Sequence, residues 1–169
     1  MTNALEANDR AKSRQIADAL IKDYANSPYA DQAQLTLARL DVDEGQLDKA
    51  IAPLTQVMDD SKDLELRLIA RLRLARILTD QGKADEAIKT LGAPMPAAFA
   101  APYHEVRGDA YLAKKDIPGA INEYQAALGA ADTSGINGAL LELKIQDLGG
   151  ARAPVAKVIS LDTPNKAKP

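Results

Sequence analysis

The feature that most constrains this chain is a helical hairpin written several times over at nearly constant spacing. Its clearest copy is residues 64–91, LELRLIARLRLARILTDQGKADEAIKTL. The first half carries Leu, Ile and Ala on nearly every side, so that helix must be covered on more than one face. Gln81-Gly82-Lys83 supplies a tight turn. The second half puts Ala84, Ala87, Ile88 and Leu91 on one stripe, at i, i+3, i+4 and i+7. One hairpin cannot bury so much apolar surface alone, and copies of it are present. Leu37-Ala38-Arg39-Leu40 with the run from Glu44-Gly45-Gln46 to Ile51 repeats Leu74-Ala75-Arg76-Ile77 with the run from Gln81-Gly82-Lys83 to Ile88, at an offset of 37 residues. Arg107-Gly108-Asp109-Ala110 and the run from Lys114 to Ile121 follow at an offset of 33. Ala17 lies 33 before Ala50, which makes residues 10–25 the second half of a first unit.

A strand reading competes, because Leu64, Leu66 and Leu68 alternate with charged residues, as Ala70, Leu72 and Leu74 do. That pattern runs to Leu78 without a turn residue, whereas strands stop after about 5–6 residues. Its Leu, Ala, Arg and Glu are also strong helix formers. Each unit has a small residue where helices must cross closely (Ala38, Ala75, Gly108), a turn, and an Ala in the return helix (Ala50, Ala87, Ala120). A period near 34 residues with this placement resembles the tetratricopeptide repeat, whose tryptophan is absent here and whose later aromatic survives as Tyr124. The expected fold is all-α: a solenoid of three to four helical hairpins over residues 1–148 with a C-terminal capping helix. Residues 149–169 read as a partly disordered tail.

Taken in order, helices are expected at 5–25 (with Ile16, Leu20 and Tyr24 on one face), 29–44 and 47–58. The last of these holds Pro53, so a kink or a late start is expected. Residues 59–63 read as a polar link that caps the central hairpin. Further helices are expected at 97–114, 117–128 and 137–148, the last burying Leu140, Leu141, Ile145 and Leu148.

The composition removes several chemistries. The 169 residues are 46% hydrophobic but only 4% aromatic, so the core must be Leu, Ile, Val and Ala. A net charge of −3 with both signs interspersed offers no basic face for nucleic acid. With no cysteine there are no disulfides, no zinc-thiolate site and no thiol nucleophile. No apolar run approaches about 18 residues, so no membrane contact by this chain itself is expected. His104 is the single histidine and reads as an ordinary helix residue. Asp41-Val42-Asp43-Glu44-Gly45 has the look of a calcium loop, but its glycine is one place early and Ala52 stands where a bidentate Glu is needed. No metal spacing, phosphate loop, cofactor motif or enzymatic constellation emerges.

What remains is surface. In a tetratricopeptide array the first helices of the hairpins line a concave groove. Arg39 and Arg76 occupy the same place in successive units, Asp109 holds that place in the next, and Leu35 and Leu72 lie one turn earlier. These five residues form a candidate strip for an extended or helical partner segment. The competing reading pairs the arginines with nearby acids such as Asp41, Asp43 or Asp80. The Lys/Asn carboxylate clamp of some tetratricopeptide domains is not matched, since those positions hold Thr36, Arg73 and Val106. Arg67 is expected on an exposed edge.

Leu72-Arg73-Leu74-Ala75-Arg76, the run from Ala84 to Leu91, Arg107-Gly108-Asp109-Ala110 and Leu143-Lys144-Ile145-Gln146-Asp147-Leu148 together resemble a narrower family. It is the periplasmic domain of YfgM-type ancillary subunits of the bacterial SecYEG translocon, and the likeness runs over residues 35–148. The resemblance implies a non-enzymatic protein at the periplasmic face of the inner membrane, held by an anchor that this chain lacks. Its implied partners are the SecYEG translocon and a membrane-anchored, parvulin-like periplasmic chaperone. The alternative is a generic tetratricopeptide adaptor or assembly scaffold unrelated to translocation.

Overall fold

The computed structural model describes residues 2–25, 27–92 and 95–150, with residues 2–8 described as backbone only. The described residues hold eight α-helices and no strand: α1 (Thr2–Asp23), α2 (Pro28–Asp43), α3 (Leu47–Asp60), α4 (Leu64–Asp80), α5 (Ala84–Thr90), α6 (Ala100–Ala113), α7 (Ile117–Leu128) and α8 (Gly138–Asp147). A 3-10 turn, Ala97–Phe99, leads into α6. The hairpins are α2/α3, α4/α5 and α6/α7, with α1 packed on α2 and α8 on α7. Each hairpin leans on the one before it: α4 packs on α3 and α2, and α6 on α5 and α4. The helical solenoid expected from the repeat is what forms.

The turns show why the repeat is spaced as it is. Gly45 and Gly82 adopt φ of +73° and +74°, the left-handed conformation that closes a helix end at little cost only for glycine. In each case the next amide reaches back five residues, from Gln46 to the Asp41 carbonyl and from Lys83 to that of Leu78. The third copy makes the same turn without glycine. Lys115 stands at φ +62°, and Asp116 donates to the Tyr111 carbonyl at 3.0 Å. Gly149, φ +80°, repeats the device after α8, where Gly150 donates to Ile145.

The crossings explain the small residues. Ala38, Ala50, Ala75, Ala87 and Ala120 are all buried, as is Ala17 in α1. Gly108 is the tightest point, because a Cβ built there would lie 2.5 Å from Cε1 of Tyr124. One core runs through the first two hairpins into α6, around Leu54, Leu74, Leu91 and Val106. A second gathers Tyr124, Leu141 and Ile145 between α7 and α8.

Helix starts follow local chemistry. The Ser27 hydroxyl accepts from the Ala30 amide ahead of Pro28, and Asp63 Oδ1 accepts from the Glu65 and Leu66 amides at 2.8 and 3.3 Å. Asp116 and Asn137 cap α7 and α8 in the same way.

Several expectations need correction. α1 turns Ala17 inward with Leu20 half-buried, but leaves Ile16 and Tyr24 exposed, because its packing is mainly against α2. In α8, Leu141 and Ile145 are buried and Leu148 partly so, while Leu140 faces out. The late start for α3 does not occur: the helix begins at Leu47 and continues through Pro53 to Asp60. The polar link is therefore only Ser61, Lys62 and Asp63. Arg67 is not on an exposed edge but half-buried, its Nε donating to the Met58 carbonyl at 3.1 Å. The segment expected as a tail lies outside the described residues from 151 onward.

Candidate functional site

Stacking brings α2 and α4 side by side with α3 behind them, and a cleft of about 340 Å³ opens between them. Its apolar lining is Ala38 and Val42 of α2, Ile77 of α4 and Leu54 of α3. Three cations line it too: Arg39, Arg73 and Arg76, with Asp80 at one end. Arg39 and Arg76 thus share one cleft because the 37-residue offset is one hairpin, which puts the same helical face at the same depth.

The acids within reach leave these arginines loosely held. Arg39 Nε stands 3.8 Å from Asp43 Oδ2, and its side chain is three-quarters exposed. Arg76 stands 3.7 Å from Glu105 Oε2 of α6. Both distances exceed the 2.7–2.9 Å of a strong charge-assisted hydrogen bond. Arg73 makes no ion pair among the described residues and donates instead to the Leu35 carbonyl at 3.3 Å. Burial first, then the Arg39 and Arg76 charges, push its guanidinium below the ordinary pKa.

Leu35 and Leu72 do not line the cleft. Both are buried in the main core, and the floor is built from Ala38, Val42, Leu54 and Ile77 instead. Asp109 lies further along, in a separate group on α6. Its Oδ1 accepts from the Tyr124 hydroxyl at 2.7 Å and from Lys144 Nζ at 2.6 Å, with that ammonium 5.1 Å from the centre of the Tyr124 ring. Burial first, and the Asp109 bond second, hold the Tyr124 phenol protonated far above its ordinary range. This triad joins α6, α7 and α8, and so fastens the last helix to the stack.

Glu105, between Arg76 and Asp109, has its pKa raised chiefly by desolvation, with Arg76 opposing. Glu105 faces Arg76 across α4 and α6, and Asp109, one turn on, is bound by Lys144 instead. Sequence reasoning met Arg73 only as a mismatch to the carboxylate clamp and gave Lys144 no role. The signal for Arg73 was present in its i, i+3 spacing from Arg76 on one face; Lys144 had none, being 35 residues from Asp109.

His104 is less ordinary than its sequence setting suggests. Its Nδ1 lies 2.8 Å from Glu123 Oε2, and Arg107 holds the other oxygen of that carboxylate at 2.7 Å. The cluster ties α6 to α7; among the described residues no group of three or more His, Cys, Asp and Glu is placed to hold a metal ion. A more polar cavity of about 440 Å³ sits at the other end of the stack, where Asp31, Gln34, Gln56 and Asp63 meet. Asp31 there accepts from the buried Ser61 hydroxyl at 2.6 Å.

With hairpins, turns and crossings all in tetratricopeptide register, the comparison with known families is direct. The model of the tetratricopeptide repeat-like domain matches residues 1–150. The chain belongs to that family. Among curated proteins, this tetratricopeptide repeat-like chain is 33% identical over 120 residues to the ancillary SecYEG translocon subunit of Escherichia coli (strain K12). The match covers 71% of this chain and 58% of the relative, so the chain spans less than two thirds of that protein. No solved structure matches the chain. Among the described residues no helix is long and apolar enough to cross a membrane.

Proposed function

We propose that this tetratricopeptide repeat-like domain is a non-enzymatic protein-binding module. It holds a partner segment against α2 and α4 as an accessory of a SecYEG translocon, at the periplasmic face of the inner membrane. A membrane-anchored, parvulin-like chaperone is its co-worker there. The observation that carries the binding role is the cleft: an apolar floor with arginines whose internal acids stand too far away to satisfy them. Support for the translocon comes from the relative, whose name is that of an ancillary translocon subunit.

The test is a pull-down from membranes with the full-length protein, probing for translocon and chaperone. Wild type should recover both. Arg39→Glu with Arg76→Glu reverses the local charge but leaves the floor in place; with the two side chains 75% and 49% exposed, each reversal should weaken binding by about 1 kcal/mol, against about 2–5 kcal/mol for a desolvated pair. Stability should hardly move, since neither side chain fills the core. Failure of wild type to recover either partner refutes the translocon assignment. Unchanged recovery by a folded double variant removes the arginines from the binding surface.

A further inference from the structure

Resting on that reading, we propose the chemistry of the segment the cleft receives. It is a peptide stretch carrying a large aliphatic side chain beside a glutamate or aspartate, the aliphatic group entering between Val42 and Ile77 and the carboxylate meeting Arg73. Shape and charge both lead there. The cleft is lined by aliphatic carbon on three helices, and its volume of about 340 Å³ accommodates a leucine-sized group. Val42 is exposed, at 40%, although it borders that space and its neighbours Ala38, Leu54 and Ile77 are buried. A side chain placed there completes a layer that the fold leaves open.

The charge is equally directional. Arg39 and Arg76 each have an acid within 4 Å, but Arg73, half-buried between them, meets only a backbone carbonyl among the described residues. Its lowered pKa, caused by burial and by its two cationic neighbours, reports a site where positive charge is crowded without a counter-ion. Asp80 borders the cleft yet forms no ion pair among the described residues. An incoming carboxylate relieves that crowding, whereas a basic segment adds to it. Selectivity for acidic over neutral segments therefore originates at Arg73 rather than at the more exposed pair.

The experiment uses the 169-residue chain and two fluorescein-labelled, end-blocked peptides. One is built from Leu, Ala and Glu, and its twin carries Gln in place of every Glu. Fluorescence polarisation should show the acidic peptide binding at least about tenfold more tightly, with the gap shrinking as salt is raised. Val42→Glu, an exposed change that places a carboxylate in the cleft, should abolish binding without unfolding the chain. Arg73→Gln should narrow the gap between the two peptides more than Arg39→Gln does, and an equal effect of the two variants overturns the assignment to Arg73. Equal binding of both peptides by wild type overturns the proposal, as does undiminished binding by the Val42→Glu variant. If neither peptide binds while the full-length protein still recovers the translocon, this inference falls and the proposed function stands. If both experiments are negative, both fall.

Discussion

Gly108→Ala is the substitution whose sign the structure determines most sharply. At an ordinary helix interior, Gly to Ala stabilises by about 0.5–1 kcal/mol through backbone entropy. Here the new methyl would stand 2.5 and 2.6 Å from Cε1 and Cδ1 of Tyr124, against a carbon–carbon optimum of about 3.5–4.0 Å. The ring must retreat by roughly 1 Å, and it has nowhere to go. Tyr124 is wholly buried, its hydroxyl is bound to Asp109, and Lys144 lies over its face. Overpacking of this kind costs about 1–3 kcal/mol; less the entropic gain, the net loss should centre on about 1 kcal/mol. For a chain of this length that is a fall in Tm of about 2–4 °C. Urea denaturation followed by circular dichroism measures it, and a second background makes the sign decisive. In a Tyr124→Leu chain the obstructing ring edge is gone, so Gly108→Ala should there stabilise by up to about 1 kcal/mol. A stabilising Gly108→Ala in the wild-type background would refute the claim that the α6/α7 crossing is closed by Tyr124. So would the same sign and size in both backgrounds.

Lys115→Gly should stabilise by about 0.5–1 kcal/mol, because it relieves a left-handed residue at the one hairpin turn that lacks glycine; a lower denaturation midpoint would contradict this. Ala75→Leu, at a fully buried crossing, should cost about 1–3 kcal/mol. Arg67→Ala should cost about 0.5–1.5 kcal/mol rather than nothing, since it removes the bond to the Met58 carbonyl. Midpoints ranking these two the other way would show that the inward faces are misassigned. Glu105 titrates above the ordinary glutamate range in the folded chain, so the unfolded state releases that proton first. Its contribution to stability is therefore lost as pH rises from that range through the raised folded value. Glu105→Gln should flatten that part of the stability profile and raise the midpoint at neutral pH; an unchanged slope would refute the desolvation argument.

The repeat architecture was legible in the sequence because its determinants are local or one hairpin apart. A turn that needs φ near +73° selects Gly45 and Gly82, and helices that cross closely select Ala38, Ala75 and Gly108 at fixed offsets. Caps such as Asp63 and Asn137 act within three residues of themselves, so they too can be read from the chain. The pairing of Arg39 with Arg76 in one cleft follows from the same periodicity. Other features required the stacked fold. Periodicity identifies an apolar stripe but not which flank of it receives a neighbour, so α1, packed mainly on α2, leaves Ile16 exposed, and α8 turns out Leu140. Whether Leu35 and Leu72 line the groove or lie behind it depends on a few tens of degrees of helix rotation, which only packing sets. Arg73, without an ion pair among the described residues, donates to a backbone carbonyl because α4 lies against Leu35 of α2. Asp109, Tyr124 and Lys144 meet because α6, α7 and α8 converge on one point, across up to 35 residues of chain. Local sequence thus determined the hairpin and its register, since a turn or a crossing requires particular residue types. Tertiary structure decided which faces are covered and which charges remain without a partner, since both depend on what lies across the interface.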